Sequence, residues 1–141
     1  MQRIYMTGLA PRKGHDDDAA FDLRAEFDSL VQAHGTTVVP CGLRIDIPER
    51  YVGLVCSRSG LALNHGVFVL NAPGIIDPGY QGDVMAILMN VSDRDFRISA
   101  GDRIAQLLIL ETPDIVLVQN ENAFDHTSSR GEGGFGSTGK D

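Results

Sequence analysis

The sequence predicts an all-β domain, either a sandwich or a barrel, and three observations lead to that class. Short apolar runs rich in Val, Ile and Leu recur between residues 36 and 118 at a spacing of roughly ten residues. Turn residues separate these runs, among them Pro48, Pro73-Gly74 and Pro78-Gly79. The two stretches with helical character are too short to change the class. Many short strands joined by such turns are typical of β-sandwiches and β-barrels.

Each predicted element rests on its own local pattern. One run alternates apolar and polar residues until Pro48 stops it, and the others are short apolar or β-branched runs. The predicted strands are Thr36–Val39, Leu43–Ile47, Tyr51–Cys56, Val67–Leu70, Val84–Val91, Ile104–Leu110 and Ile115–Val118. Helical spacing is weak over Phe21–Ala33, and Ser59–His65 has the length of one or two turns.

The composition fits one globular domain with an aliphatic core. The chain has 141 residues, of which 43% are hydrophobic and 6% aromatic, and none is Trp. The last part of the sequence differs, because it is rich in Gly, Ser and Thr, as flexible tails are. We therefore expect an all-β domain over residues 1–126 and a flexible Gly-rich C-terminal arm over residues 127–141.

Charge and cysteine content restrict the possible partners. The formal net charge of −7 argues against non-specific binding to nucleic acid or anionic membranes, although a small polyanion needs only a few local cations and a metal ion. The two cysteines lie in apolar runs without zinc-site spacing, and neither a signal sequence nor an apolar run of about 20 residues is visible. We expect a cytoplasmic protein with reduced thiols that binds neither nucleic acid nor membranes.

Two phosphate-loop patterns in the tail lack the context that they need. Residues 134–140 fit G-x-x-x-x-G-K, but Asp141 stands where Ser or Thr should follow, and no helix follows to receive the phosphates. Residues 131–136 fit G-x-G-x-x-G without a preceding strand or a βαβ unit. Neither pattern therefore indicates a Walker or dinucleotide-binding fold, although the glycine N–H groups remain suited to phosphate.

Three segments combine turn residues with side chains capable of chemistry. Cys56–Ala62 brings an Arg, a Ser hydroxyl and a Gly N–H together after a strand, which suits a phosphate clamp or a plain surface turn. Asn71–Asp83 places Asp77 beside apolar neighbours, where desolvation would favour a base; the alternative is a turn cap. Gly101–Leu107 carries Gln106 in an apolar strand, where its amide needs a ligand or a backbone partner.

With two further segments, these regions closely resemble the five motifs of the trimeric deoxyuridine triphosphatase family, in the same order and at matching separations. The five segments are Ala19–Ala25, Arg58–Ala62, Asn71–Asp83, Gly101–Leu107 and Arg130–Gly139. The third and fifth are the most specific. The family commonly has Gly-Tyr where this chain has Ala20-Phe21, and Pro where it has Ser57. Neither change removes a group with a chemical role.

The resemblance implies a jelly-roll-like β-barrel that assembles as a homotrimer, with active sites shared between subunits and closed by the C-terminal arm. It implies Mg²⁺-assisted hydrolysis of dUTP to dUMP and pyrophosphate, through attack of water on the α-phosphate. Such an enzyme keeps uracil out of DNA and supplies dUMP for thymidylate synthesis.

The resemblance also implies roles for individual residues. Asp77 would position and deprotonate the attacking water, and Asp22 would bind Mg²⁺ through water. The implied phosphate-binding set is Arg58, Ser59, Gly60, Gln106, Arg130, Gly136 and Ser137. The implied set for uracil and deoxyribose is Asn71, Gly74, Ile76, Tyr80 and Phe135. In this scheme Phe135 stacks on uracil, and Tyr80 packs against the deoxyribose and excludes a ribose hydroxyl.

Two other functions stay open at this stage. A dCTP deaminase shares the fold and part of the third motif, but it carries a catalytic Glu where this chain has Ile87, which cannot shuttle protons. A nucleotide-binding regulator without catalysis would tolerate loss of the base or of the arm, whereas Asp77, Arg130 and Phe135 are all present. Turnover of dUTP by the purified protein separates an enzyme from a pure binding protein.

Overall fold

The computed structural model describes residues 2–120, in which strands dominate. The strands are β1 (Tyr5–Gly8), β2 (Phe21–Arg24), β3 (Ser29–Val31), β4 (Thr36–Pro40), β5 (Leu43–Asp46), β6 (Tyr51–Cys56), β7 (Val67–Val69), β8 (Gly74–Ile76), β9 (Met85–Asn90), β10 (Phe96–Ile98) and β11 (Arg103–Glu111). The helix α1 (Ser59–His65) lies between β6 and β7. The all-β prediction is confirmed, and so is the short helix.

The strands of the described chain form four antiparallel sheets. The largest has the order β2-β11-β6-β8, the next has the order β4-β9-β7, and the remaining pairs are β1-β5 and β10-β3. Within residues 2–120 these sheets do not join into one closed ring of hydrogen bonds, so the predicted barrel takes the form of separate sheets around one core. No helix in the described chain has the length and apolarity that crossing a membrane requires.

The core is aliphatic, as the composition predicted. Its buried side chains are Val, Ile, Leu and Ala residues together with Cys41, while Phe21, Tyr51 and Phe96 pack against its edge. Burial raises the pKa of the Cys41 thiol to about 12, because a thiolate there would lose its hydration. Cys41 is therefore an inert, protonated thiol at neutral pH.

Two predictions from local pattern are wrong. Phe21–Ala33 is not helical, because β2 pairs with β11 and β3 pairs with β10, so non-local pairing outweighs the weak helical spacing. Ile115–Val118 is not a strand: it has no strand partner within residues 2–120, and its side chains are exposed, Leu117 to 95%.

Asn90, at the end of β9, is the fully buried polar side chain of the described core. Its Nδ2 donates to the carbonyl oxygens of Val31 (3.0 Å) and Arg94 (2.8 Å), and its Oδ1 accepts from the Ser92 N–H (2.9 Å) and hydroxyl (2.8 Å). One amide thus joins β9 to β3 and shapes the following turn, with both its donor and acceptor capacity used.

Replacing Asn90 with Asp is expected to lower the free energy of unfolding by about 2–5 kcal/mol, because both donors are lost and a buried carboxylate oxygen then faces two carbonyl oxygens. Urea unfolding followed by circular dichroism, at matched protein concentration, measures the change. The control Ser92→Ala removes one hydroxyl and should cost only about 1 kcal/mol. Equal stability of Asn90→Asp and the parent chain would contradict this role of the amide.

Candidate active site

The main sheet brings three of the predicted site segments together in one row. Gln106 on β11 pairs with Asp22 on β2 and with Cys56 on β6. Arg58 follows two residues after Cys56. The Gln106 amide donates to the carbonyl oxygen of Ser57 at 2.8 Å, so its partner in this state is the backbone. The first, second and fourth motif segments therefore meet at one edge of the β2-β11-β6 region.

Asp22 lies between two arginines. Its Oδ1 is 3.2 Å from Arg58 Nε, and its Oδ2 is 3.3 Å from Arg103 Nη1. Arg58 Nη1 also donates to the carbonyl oxygen of Arg103 at 2.9 Å. Since the Asp22 and Arg58 side chains are only 15% and 25% exposed, these contacts fix the Arg58 fork in place. The cluster of one carboxylate and two guanidinium groups keeps a net positive charge.

Two shallow pockets flank this cluster. Asp22 and Gln106 line a pocket of about 330 Å³ together with Asp18 and the small residues Gly14, Ala19 and Ala20. A hydrogen bond from the His15 backbone N–H to the Asp18 carboxylate holds the pKa of Asp18 below its usual range.

The other pocket carries the guanidinium groups. It has a volume of about 290 Å³ and is lined by Arg58, Arg103, Asp102, Leu61, Phe96 and Ile104. No role for Arg103 was predicted from the sequence, because nothing in the local sequence indicates which residue a charged side chain at the start of a strand will contact.

Ser59 and Gly60 begin α1 and are exposed beside Arg58. Arg58 has extended backbone (φ −96°, ψ 126°) and makes no side-chain cap, so N–H groups of the first turn lack an intrahelical acceptor. The Ser57 hydroxyl accepts the N–H of Val69 at 2.9 Å, which ties the segment before the helix to β7. The second motif therefore presents a guanidinium, a hydroxyl and free N–H donors on one turn.

The third motif forms β8 and a tight turn. Tyr80 N–H donates to the carbonyl oxygen of Asp77 at 3.2 Å, with Pro78 second and Gly79 third in the turn. Gly79 has φ +80°, the left-handed value that a type II turn needs at that position. Asp77 is exposed at the end of β8, so the desolvation expected from its apolar neighbours is not observed within the described chain.

A pocket of about 310 Å³ lies beside this turn, and four predicted residues, Asn71, Gly74, Ile76 and Tyr80, line it. A Cβ on Gly74 would stand 3.2 Å from Asn71 Nδ2 and 3.5 Å from Val55 Cβ, so glycine allows the close approach. Further lining residues were not assigned from the sequence: Val38, Val55, Ile75, Asp83, Val84, Met85 and Ile87. We call this the hairpin pocket.

The hairpin pocket shares no lining residue with the two pockets beside the Asp22 cluster. Val55 pairs with Gly74, and both are buried on the side of the core. Cys56, the next residue, pairs with Gln106. Ile75 pairs with Leu54, which points to the same face of β6 as Cys56, so the hairpin pocket draws on both faces of the sheet.

The comparison with known proteins decides the family. The dUTPase family model matches residues 7–139. The chain belongs to the dUTPase family. It is 42% identical over 139 residues to the deoxyuridine 5'-triphosphate nucleotidohydrolase of Helicobacter pylori, covering 99% of this chain and 94% of that protein.

Solved dUTPase structures share the fold. A point mutant of the Staphylococcus bacteriophage 80alpha dUTPase with dUpNHpp matches with a TM-score of 0.89 and 27% identity, over 99% of both chains. A mutant dUTPase from phage phi11 of S. aureus, described with a structural Mg(II) ion, matches with a TM-score of 0.77 and 23% identity over 85% of this chain and 97% of that one.

Within this dUTPase, the predicted site residues fall into three groups. Asp22, Arg58 and Gln106 lie together, with Ser59 and Gly60 on the adjoining helix turn. The hairpin pocket forms the second group. The remaining predictions are Asp77, which lies on the turn beside that pocket without lining it, and Arg130, Phe135, Gly136 and Ser137, which fall outside the described residues. Among residues 2–120, no set of three or more His, Cys, Asp or Glu side chains is placed to hold a metal.

Proposed function

We propose that this dUTPase hydrolyses dUTP to dUMP and pyrophosphate in the cytoplasm, in sites shared by the subunits of a homotrimer. The observation that carries the proposal is the Asp22–Arg58–Gln106 cluster, because it assembles three family motifs into one cationic site. The two free cysteines are consistent with a reducing compartment.

The cluster suits a triphosphate. A nucleoside triphosphate carries about four negative charges at neutral pH, and charge grows on the leaving pyrophosphate during the reaction. Arg58 offers a preorganised fork, the first turn of α1 offers N–H donors, and Gln106 offers an amide. Fixed donors aimed at developing charge are usually the largest catalytic term. Arg130, Gly136 and Ser137 of the arm would complete the phosphate contacts.

The residues present fit a magnesium ion held mostly by substrate. Both Asp22 oxygens already face guanidinium nitrogens, at 3.2 and 3.3 Å, which favours contact through water over direct coordination. Mg²⁺ keeps several waters and commonly binds through one carboxylate and the substrate phosphates. When bound, it would neutralise charge that develops on the phosphates. Asp22 would then orient the water ligands of the ion.

Asp77 supplies the proposed base. Asp77 is the first residue of the hairpin turn. The hydrogen bond that closes this turn uses the main-chain oxygen of Asp77, so its side-chain carboxylate takes no part in it. We infer that it accepts a proton from the water that attacks the α-phosphorus. A positioned base contributes about 10²–10⁴-fold.

The hairpin pocket supplies the proposed nucleoside selectivity. Asn71 and the hairpin backbone would read uracil, and Tyr80 would pack against the sugar, while Phe135 of the arm would stack on the base. Uracil and cytosine present opposite hydrogen-bond polarity, and each mismatched buried group costs about 1–3 kcal/mol. Ile87, where a dCTP deaminase carries its catalytic Glu, lines this pocket as an apolar side chain, which disfavours deamination.

The separation of the two sites within one chain supports an active site shared between chains. The hairpin pocket of one chain shares no lining residue with the pockets of its cationic cluster, so a single nucleotide would take its base contacts from one chain and its phosphate contacts from another. The exposed apolar segment Ile115–Val118 also supports burial against a second chain.

The reaction is tested by pyrophosphate release from dUTP, dCTP, dTTP and UTP, each with Mg²⁺ and again with excess EDTA. We expect hydrolysis of dUTP alone, lost with EDTA. Binding of dUTP without turnover would identify a nucleotide sensor, and consumption of dCTP would contradict the proposed pocket. Light scattering of the same preparation should give the mass of three chains.

A further inference from the structure

The Tyr80 ring is fastened to the hairpin at its far end. Its hydroxyl donates to the carbonyl oxygen of Asp83 at 3.0 Å. The ring lies so close over Gly82 that a Cβ on that glycine would collide with the ring and its hydroxyl. The orientation of the ring therefore depends on where the segment from Gly82 to Asp83 is held.

Packing alone does not hold the ring, because Tyr80 borders two separate pockets. Tyr80 lines the hairpin pocket of about 310 Å³ and also a second pocket of about 300 Å³, shared with Tyr5, Arg44 and Gln81 among others. The residue is 46% exposed. The hydroxyl contact with Asp83 is thus the specific restraint on the ring.

Asp83 in turn is attached to β5. Arg44 Nε donates to Asp83 Oδ1 at 2.7 Å, and the neighbouring Val84 N–H donates to the Leu43 carbonyl oxygen at 2.8 Å. These side-chain and main-chain contacts connect two consecutive residues after the hairpin to two consecutive residues of one strand. The acceptor of the Tyr80 hydroxyl therefore has a fixed place relative to the core.

We propose that Arg44 is a positioning residue that, through Asp83, holds the Tyr80 ring in the orientation that discriminates deoxyribose from ribose. This inference rests on the proposed function, in which Tyr80 packs against the sugar. Arg44 itself lines the second pocket and not the hairpin pocket. Loss of Arg44 should therefore change the selectivity between dUTP and UTP, while the residues proposed for the chemical step stay in place.

The expected size of the change in selectivity follows from the exposure of the Arg44–Asp83 ion pair. The Arg44 and Asp83 side chains are 61% and 48% exposed, so water and salt screen their attraction. Such pairs shift equilibria by up to about fivefold. Loss of the pair should therefore reduce, without abolishing, the preference for dUTP over UTP.

The test compares kcat and KM for dUTP and UTP in the parent chain, Arg44→Gln, Arg44→Lys and Asp83→Asn. We expect the ratio of kcat/KM for dUTP to that for UTP to fall about two- to fivefold in Arg44→Gln and in Asp83→Asn. The double variant should fall no further, since both changes remove one contact. Arg44→Lys should recover much of the ratio, and the differences should shrink in 0.5 M salt, a concentration at which the Debye length is only about 4–5 Å.

The matched control is Arg97→Gln, which removes an exposed arginine from β10 and should leave the ratio unchanged. An unchanged ratio in both Arg44→Gln and Asp83→Asn at low salt overturns the inference. If the parent chain fails to hydrolyse dUTP, the proposed function fails first, and the two failures are thereby distinguished.

Discussion

Asp77→Asn is expected to lower kcat for dUTP by about 10²–10⁴-fold, with KM changed only a few-fold. The amide keeps the size of the carboxylate but cannot accept a proton from water at neutral pH. The turn should survive, because Tyr80 N–H binds the main-chain oxygen of Asp77 and Gly79 keeps its left-handed backbone. Pyrophosphate release under steady-state conditions measures the effect.

A matched variant, Asp114→Asn, removes another exposed carboxylate, outside the hairpin, and should retain full activity. Thermal unfolding of both variants should stay close to that of the parent chain. A loss of less than tenfold in Asp77→Asn would rule out Asp77 as the principal base. A large loss accompanied by unfolding would instead indicate a structural role.

The exposure of Asp77 has a consequence for the mechanism. General bases commonly work in sites from which bulk water is excluded, and the described part of one chain does not supply such surroundings here. In the proposed trimer, bound nucleotide, a neighbouring chain and the arm would cover the hairpin. Covering by other molecules would reconcile the exposure of Asp77 in one chain with the desolvation that its apolar neighbours Ile75 and Ile76 predicted.

Local sequence pattern predicted the strands whose own residues carry a clear strand signal. β5 alternates buried and exposed side chains, and β6 and β11 are apolar runs long enough to stand out. β8 escaped prediction because it has three residues within a segment dominated by turn signals. The error at Ile115–Val118 has the opposite cause: the segment has strand-like residues, but a strand needs a partner, and residues 2–120 provide none.

The site residues show the same division between features that are visible in the local sequence and contacts that depend on the tertiary structure. The residue types of Asp22, Arg58 and Gln106 could be recognised from sequence motifs. The pairing of Asp22 with Arg103 joins residues 81 positions apart and depends on the register of β2 against β11, including the shift between Arg103 and Ala105. The attachment of Asp83 to Arg44 spans 39 positions. Such contacts follow only from the assembled sheets.

Arg58→Ala is expected to lower kcat/KM for dUTP by about 10²–10³-fold, the usual cost of removing one fixed donor to developing charge. Arg58→Lys should stay within about tenfold of the alanine variant. Lysine keeps the charge, but it cannot contact both Asp22 and the Arg103 carbonyl as the guanidinium fork does. Steady-state kinetics with dUTP measure both variants.

Inhibition by dUMP separates this effect from damage to the hairpin pocket. The monophosphate lacks the β- and γ-phosphates, so its inhibition constant should change far less than kcat/KM in Arg58→Ala. The fold should also survive, because Asp22 keeps its contact with Arg103 at 3.3 Å and is not left as an unpaired, half-buried carboxylate. Equal losses of dUMP binding and dUTP turnover would mean that Arg58 supports the nucleoside pocket, and would contradict its assignment to the triphosphate.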